Sequence, residues 1–282
     1  MHLLLIRHGE TEHNVAGLLA GATDSKLTNH GILQAQRLGK FIASTRKLQL
    51  TQIFSSDLQR AWMTAAEVCK SQLAEHGPNS ALDEVIKLPL LREQDFGSLE
   101  LVPWASKRAD DAFTTKVPSA TDPDFKPKET AEQMQVRADQ FLTDFLHPVL
   151  ALGSNEQVAI VSHGLFLSSL WRALLRRFPS HNITIGPDVG PLGPSRPLEY
   201  IGSWSNTGYL ELAIHDRCQQ DGDEHSQLHP SSPATFTGFG LNVLAINRKD
   251  HLENLKRTRG VGSAAYDARQ QQIDGFFKRP TT

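Results

Sequence analysis

Charge of one sign, long apolar runs and cysteine are all scarce in this 282-residue chain, and each scarcity excludes something. Lysine and arginine number 29 against 31 aspartates and glutamates, so the formal net charge is only −2. No global field therefore draws the chain to nucleic acid or to an anionic membrane. No apolar run approaches the ~20 residues that span a bilayer. Cys69 and Cys218 are too few for a disulfide framework and lack metal-site spacing, which points to a reducing compartment. The first apolar run begins at Leu3, and the expectation is that no cleaved presequence fits before it. A cytoplasmic or nuclear protein is expected. With 39% hydrophobic and 21% charged residues, the composition is that of a globular chain able to bury a three-layer core.

Two stretches repeat one pattern. Residues 3–6 are continuously apolar, as in a strand buried on both faces of a parallel sheet, and Arg7, His8, Gly9, Glu10, Thr11 and Asn14 follow. Residues 157–162 are a second such run, ending in His163 and Gly164 before a helix over 165–176. One Arg-His pair alone reads equally well as polar residues capping a strand. Two histidines, each at the carboxyl end of a buried strand and each followed by glycine, are hard to explain by packing. Open α/β sheets bind their ligands at that edge.

The intervening chain alternates helix and strand. Thr28 caps a helix carrying Ile32, Ala35, Leu38, Gly39 and Ile42 to about Ser44. A short strand at 52–54 precedes Asp57, a helix cap that places Arg60 in the first turn. A hairpin is expected at 75–80, then a strand at 85–89 leading into LREQDFG at 91–97, which contains Glu93. Residues 101–128 hold four prolines and read as an inserted lid. Thr130 and Gln133 form a capping box for a helix to about Leu146, with Val136, Phe141, Leu142 and Phe145 as its buried stripe. Residues 179–205 read as a long Pro/Gly-rich loop. Residues 209–214, with one solvated face, and 241–247 form an antiparallel hairpin at the sheet edge, with a polar, disordered tip at 215–232. The expected fold is a three-layer α/β/α sandwich with a mostly parallel central sheet, an antiparallel edge and a small inserted cap.

The strand ends offer Arg7, His8, Arg60, Glu93 and His163. Two guanidiniums, two imidazoles and one carboxyl suit phosphoryl transfer without a metal or other cofactor. One imidazole attacks phosphorus, the arginines neutralise its equatorial oxygens, and the carboxyl protonates the departing alkoxide. Arg60 alone would read as a solvated helix arginine.

These motifs resemble the histidine phosphatase superfamily, in its phosphoglycerate-mutase-like branch, over roughly residues 3–250. RHGET at 7–11, Asn14, LT-x-x-G-x-x-Q-A at 27–35, S-D-L-x-R-A-x-x-T-A at 56–65, LREQDFG at 91–97 and SHG at 162–164 occur in the family's order. The resemblance implies His8 as the phosphorylated nucleophile and Glu93 as proton donor. Arg7, Arg60 and His163 would complete the phosphate pocket, with Asn14 assisting and the backbone near Gly21 against the substrate. It implies a metal-independent phosphomonoester hydrolase acting on a small phosphorylated metabolite. The acid motif resembles the phosphatase members, the broad-specificity and fructose-2,6-bisphosphatase-like enzymes among them; a phosphoglycerate-type phosphomutase is the alternative. Trp104, Lys107, Arg108 and Lys116 either line a pocket for an acidic substrate or form a solvated face.

The organisation expected is a catalytic domain over 1–250, with the cap at about 99–128, and a basic tail over 251–282. Gln270, Ile273, Phe276 and Phe277 have the spacing of the peptide by which replication and repair proteins bind the sliding clamp, proliferating cell nuclear antigen (PCNA). The competing reading is a tail docked on its own domain. A clamp-bound nuclear phosphatase or scaffold acting on nucleotides or phosphoproteins follows as a further alternative, with KRTRG at 256–260 as a weak import signal.

Overall fold

The computed structural model describes residues 1–77, 82, 84–104, 118–153, 155–189, 197–217, 235–258 and 260–267. Within them the strands are β1 (His2–Arg7), β2 (Gln52–Ser55), β3 (Val85–Lys87), β4 (Gln157–Ser162), β5 (Ile183–Ile185), β6 (Tyr209–Asp216) and β7 (Phe239–Arg248). They make one sheet in the order β3-β2-β4-β1-β6-β7-β5. β3, β2, β4 and β1 are parallel, β6 is antiparallel to both β1 and β7, and β5 runs parallel to β7.

Alternation along β1 explains the layers. Leu3 and Leu5 join a cluster containing Phe141, Phe166 and Trp171, while Leu4 and Ile6 join one containing Leu38, Ala61, Ala65 and Val68. The first face is covered by α4 (Ala131–Phe141), α5 (His147–Ala151) and α6 (Gly164–Arg177), the second by α2 (Asn29–Lys40) and α3 (Gln59–His76). The four β1 residues from Leu3 to Ile6 are fully buried, each contributing about 1.5–3 kcal/mol by leaving water. The result is the expected α/β/α sandwich, with the antiparallel section towards one edge. No helix among the described residues is long and apolar enough to cross a membrane.

Several local expectations need correction. The region expected to form a hairpin is helical to His76, and β2 and β3 pair in parallel around α3. Residues 78–80 lie outside the described residues. Asp57 does not cap α3; its carboxylate is taken by both sides of the Arg92 guanidinium fork, and Leu58 occupies the cap position. Of the expected stripe, Phe141 and Leu142 are buried and Phe145 packs partly buried against the same core, but Val136 is 66% exposed; Met134 and Ala138, spaced four apart with Phe141 three further on, take its place. The capping box at Thr130 and Gln133 is present.

The segment 179–205 is not all loop, since it contains β5, which closes the sheet beyond β7. Residues 209–214 have no freely solvated face: five of the six, Glu211 included, are buried and Ala213 is half-buried. The Glu211 carboxylate is neutralised by Arg46, with His2 at 3.0 Å and Arg248 at 3.8 Å. Of the expected disordered tip, His215 and Asp216 belong to β6; its part beyond Arg217, the middle of the cap (105–117) and the peptide 270–277 fall outside the described residues.

Candidate active site

Register brings the two histidines together. β1 and β4 are parallel neighbours, with Ile6 opposite Val161 and Arg7 opposite Ser162. His8 and His163 are therefore the next pair, just past the strand ends. The ladder runs one step further, from the His8 amide to the Ser162 carbonyl at 3.0 Å, and the imidazole centroids lie 5.0 Å apart. Both rings are buried, but each has polar neighbours. The Nδ1 of His8 lies 2.7 Å from the Gly9 carbonyl, an acceptor only, so Nδ1 carries the proton and Nε2 keeps its lone pair.

Arg60 reaches the same place from the other side of β4. β2 flanks that strand, and α3 begins four residues after β2, at Gln59. Arg60 is 1% exposed and donates from Nε to Nδ1 of His163 at 3.2 Å. Three of its other N–H donors bind the carbonyls of Gly21 at 2.7 Å, Thr23 at 3.0 Å and Ala20 at 3.3 Å, and Nη1 also lies 3.5 Å from the Asp24 carboxylate. Arg7 donates to the Trp204 carbonyl at 2.6 Å. Arg7 Nε and His163 Nε2 are buried without a hydrogen-bond partner among the described residues. Buried donors left unpaired are uncommon, and both belong to this cluster.

Glu93 sits across the N-terminus of α6. Its carboxylate accepts the amide hydrogens of Leu165 at 3.1 Å, Phe166 at 2.9 Å and Gln94 at 3.0 Å. Amides free of intrahelical partners at a helix start hold the side chain in place there. Burial pushes the His8 imidazole well below the usual histidine range, and the Arg7 and Arg60 charges add to this against the Gly9 hydrogen bond. His163 moves the same way, through burial and then the charges of Arg60, His8, Arg7 and Arg137. Both rings are neutral near pH 7, as a nucleophile requires. A cleft of about 730 Å³ opens beside Glu93, between Ala22, Pro89, Lys128, Val136 and Arg137.

The sequence reading named Asn14 and Gly21, and the structure places both beside the cluster. Asn14 lies in α1 (Glu12–Ala16), forming a capping box with Thr11. Both backbone polar groups of Gly21 are occupied, its carbonyl by Arg60 and its amide by Glu100 at 3.1 Å. A side chain at 21 would put Cβ 1.9 Å from the Gln94 carbonyl oxygen, so glycine is obligatory.

Four supporting residues were not read from the sequence. The Glu100 carboxylate accepts amide hydrogens from Gly21, Ala22 and Thr23 at 3.1 Å each and from Phe96 at 2.9 Å. Burial raises its pKa, but those hydrogen bonds outweigh burial and leave it lowered. Arg137 clamps the Glu93 segment, binding Glu129 and the carbonyls of Leu90 and Arg92. Thr64 accepts the Gly9 amide at 3.0 Å. Thr207, at φ 54°, donates its amide to the carbonyls of Arg7 at 3.0 Å and His8 at 3.2 Å. Only Thr64 stood inside a recognised motif. No group of three or more His, Cys, Asp or Glu among the described residues is arranged to hold a metal ion.

The family model of the histidine phosphatase superfamily, branch 1, matches residues 3–188. The chain belongs to that superfamily. A probable phosphatase of Schizosaccharomyces pombe is 33% identical over 286 residues, covering 98% of this chain and 79% of the relative. A metal-independent phosphoserine phosphatase of Arabidopsis thaliana is 27% identical over 227 residues, covering 78% of this chain and 88% of the relative. The solved structure of mycobacterial hydrolase 1 matches with a TM-score of 0.59 at 22% identity, over 88% of this chain and 99% of the other, a likeness of fold. Family and relatives together make this superfamily member an enzyme of the phosphatase class.

Proposed function

We propose that the chain is a phosphomonoester hydrolase that works without a metal, through a phosphohistidine at His8, on a small phosphorylated metabolite. The observation that carries this reading is the meeting of His8, His163, Arg7 and Arg60 beyond adjacent strand ends, with Glu93 alongside. In the first step the Nε2 lone pair of His8 attacks phosphorus. The N–P bond forms, the ester P–O bond breaks, and the leaving oxygen takes a proton from Glu93. In the second step Glu93 accepts a proton from water, whose oxygen attacks phosphorus. The N–P bond breaks, releasing inorganic phosphate and restoring His8. Arg7, Arg60 and the Nε2–H of His163 stabilise the equatorial oxygens, Asn14 assists, and the leaving group occupies the cleft beside Glu93.

Hydrolysis is favoured over phosphomutase transfer because a relative covering 98% of the chain is described as a probable phosphatase. Of the basic and aromatic candidates for holding a bisphosphorylated intermediate, Trp104 is 64% exposed and Lys107, Arg108 and Lys116 lie outside the described residues. The test is release of phosphate from an aryl phosphate, with wild type and His8→Ala, in buffer with and without a chelator. Activity insensitive to chelation and lost by at least about a thousandfold in His8→Ala is expected. Activity that needs an added divalent cation, or survives in His8→Ala, would refute the reading. A screen across sugar phosphates, nucleotides and phosphopeptides then identifies the substrate.

For the tail we propose recruitment to a sliding clamp through Gln270, Ile273, Phe276 and Phe277, which would place the enzyme in the nucleus as well as the cytoplasm. Its support is the residue spacing. A peptide of residues 266–282 should capture the clamp, and Phe276→Ala with Phe277→Ala should abolish capture; equal capture by both peptides would end the idea.

A further inference from the structure

The backbone of the His8 turn is gripped from the far side by residues 204–208. Arg7 Nη1 donates to the Trp204 carbonyl, the Arg7 amide donates to the Gly208 carbonyl at 3.1 Å, and Thr207 supplies the amide described above. Asn206 adds a side chain to this grip. Its Nδ2 donates to the His8 carbonyl at 3.2 Å and to Oδ1 of Asn14 at 3.0 Å.

Those contacts settle which way both amides face. The His8 carbonyl can only accept, so the Asn206 atom against it is nitrogen. Oδ1 of Asn14 also receives the Thr11 amide hydrogen at 3.2 Å, and a backbone N–H can only donate. Two groups restricted to donation meet on one atom of Asn14, so that atom is oxygen and the other is the NH2. The NH2 of Asn14 has no hydrogen-bond partner among the described residues. It stands beside the His8 turn as a donor with its hydrogens uncommitted to the described residues.

We propose that Asn206 is a positioning residue for the substrate phosphoryl group. By occupying the oxygen of Asn14 it presents the Asn14 NH2 to a phosphoryl oxygen, and by binding the His8 carbonyl it fixes the distance between that donor and the attacking ring. Asn206 itself touches no substrate. The inference rests on the reading of the His8 cluster as a phosphoryl site.

The test is competitive inhibition of aryl phosphate hydrolysis by inorganic phosphate, in wild type, Asn206→Ala, Asn206→Asp, Asn14→Ala and the double alanine variant, with thermal melting of each. Asn206→Ala should weaken inhibition by about tenfold, the scale of one hydrogen bond to a charged group. Asn206→Asp, nearly isosteric, should weaken it further, because a carboxylate accepts from Asn14 and turns its NH2 inward. It also serves as the readout should the alanine variant not fold. The double variant should be within about twofold of Asn14→Ala alone, since the two act as one device. Losses that add, or phosphate inhibition unchanged in Asn206→Asp, would overturn the proposal while leaving the phosphoryl site standing. A folded wild type that phosphate does not inhibit would overturn that reading, and this one with it.

Discussion

Arg60 and His163 are joined by a hydrogen bond of 3.2 Å from the guanidinium Nε to the imidazole Nδ1. Because Nε can only donate, Nδ1 of His163 is an acceptor and its proton lies on Nε2, the atom left without a partner among the described residues. One side chain thus provides a cation and sets the tautomer of its neighbour.

Arg60→Lys should therefore cost more than a conserved charge suggests. An ammonium cannot serve three loop carbonyls and the imidazole in one plane. We expect kcat/KM on an aryl phosphate to fall by about a hundredfold or more, with the fold retained by circular dichroism.

Glu93→Gln separates proton donation from binding. With an alkyl phosphate the leaving oxygen needs a proton, and kcat/KM, which reports only the steps up to its departure and not the later attack of water, should fall by about a hundredfold or more. With a nitrophenyl phosphate, whose leaving group is stable as an anion, the fall should be within about tenfold. Equal losses on both substrates would remove Glu93 from the acid role.

Glu100→Gln tests the loop that holds Arg60 in place. A neutral amide accepts through one oxygen only, so the four amide hydrogens on the carboxylate cannot all be satisfied. The carbonyls of Ala20, Gly21 and Thr23 then lose their fixed positions. We expect KM to rise by about tenfold with a smaller change in kcat.

Acid should destabilise the protein before its carboxylates titrate. His8 and His163 lie well below the ordinary value of 6.5, and burial brings His251 down to about 4 despite Asp250. Between those folded values and 6.5 the unfolded chain binds more protons, so stability is full above 6.5 and is lost as pH falls towards the folded values. Melting followed from pH 7 to 5 should show Tm falling by roughly 5–10 °C, and His251→Gln should flatten the slope.

Much of this site was legible because the strands that carry it are buried on both faces. Continuous apolar runs at 3–6 and 158–161 announce β1 and β4, and parallel pairing does the rest, carrying His8 and His163 to one edge. β5 escaped because three residues, two of them exposed, leave no periodicity to read. Val136 was misplaced because it lies two residues from Met134, off the 3.6-residue stripe. A solvated face was read for 209–214, where Glu211 lies, because a buried carboxylate is tolerated only with partners, and His2, Arg46 and Arg248 come from three separate segments. Apart from the bond between Glu100 and the nearby Phe96 amide, Glu100 and Asn206 act through hydrogen bonds to residues 77 or more positions away, contacts that no local pattern encodes.

The bridge between Thr28 and Ala265 makes the carboxyl-terminal side of the chain a guy-rope for the catalytic turn. Asn29 donates to the Ala264 carbonyl, Tyr266 donates to Leu27, and Arg257 lies 3.2 Å from the Glu10 carboxylate, which also accepts from Thr28. Glu10 is two residues from His8. Trimming the chain after Leu255 to obtain a tidier protein would cut that rope, so an inactive shortened form would speak about slackened rigging and not about lost chemistry.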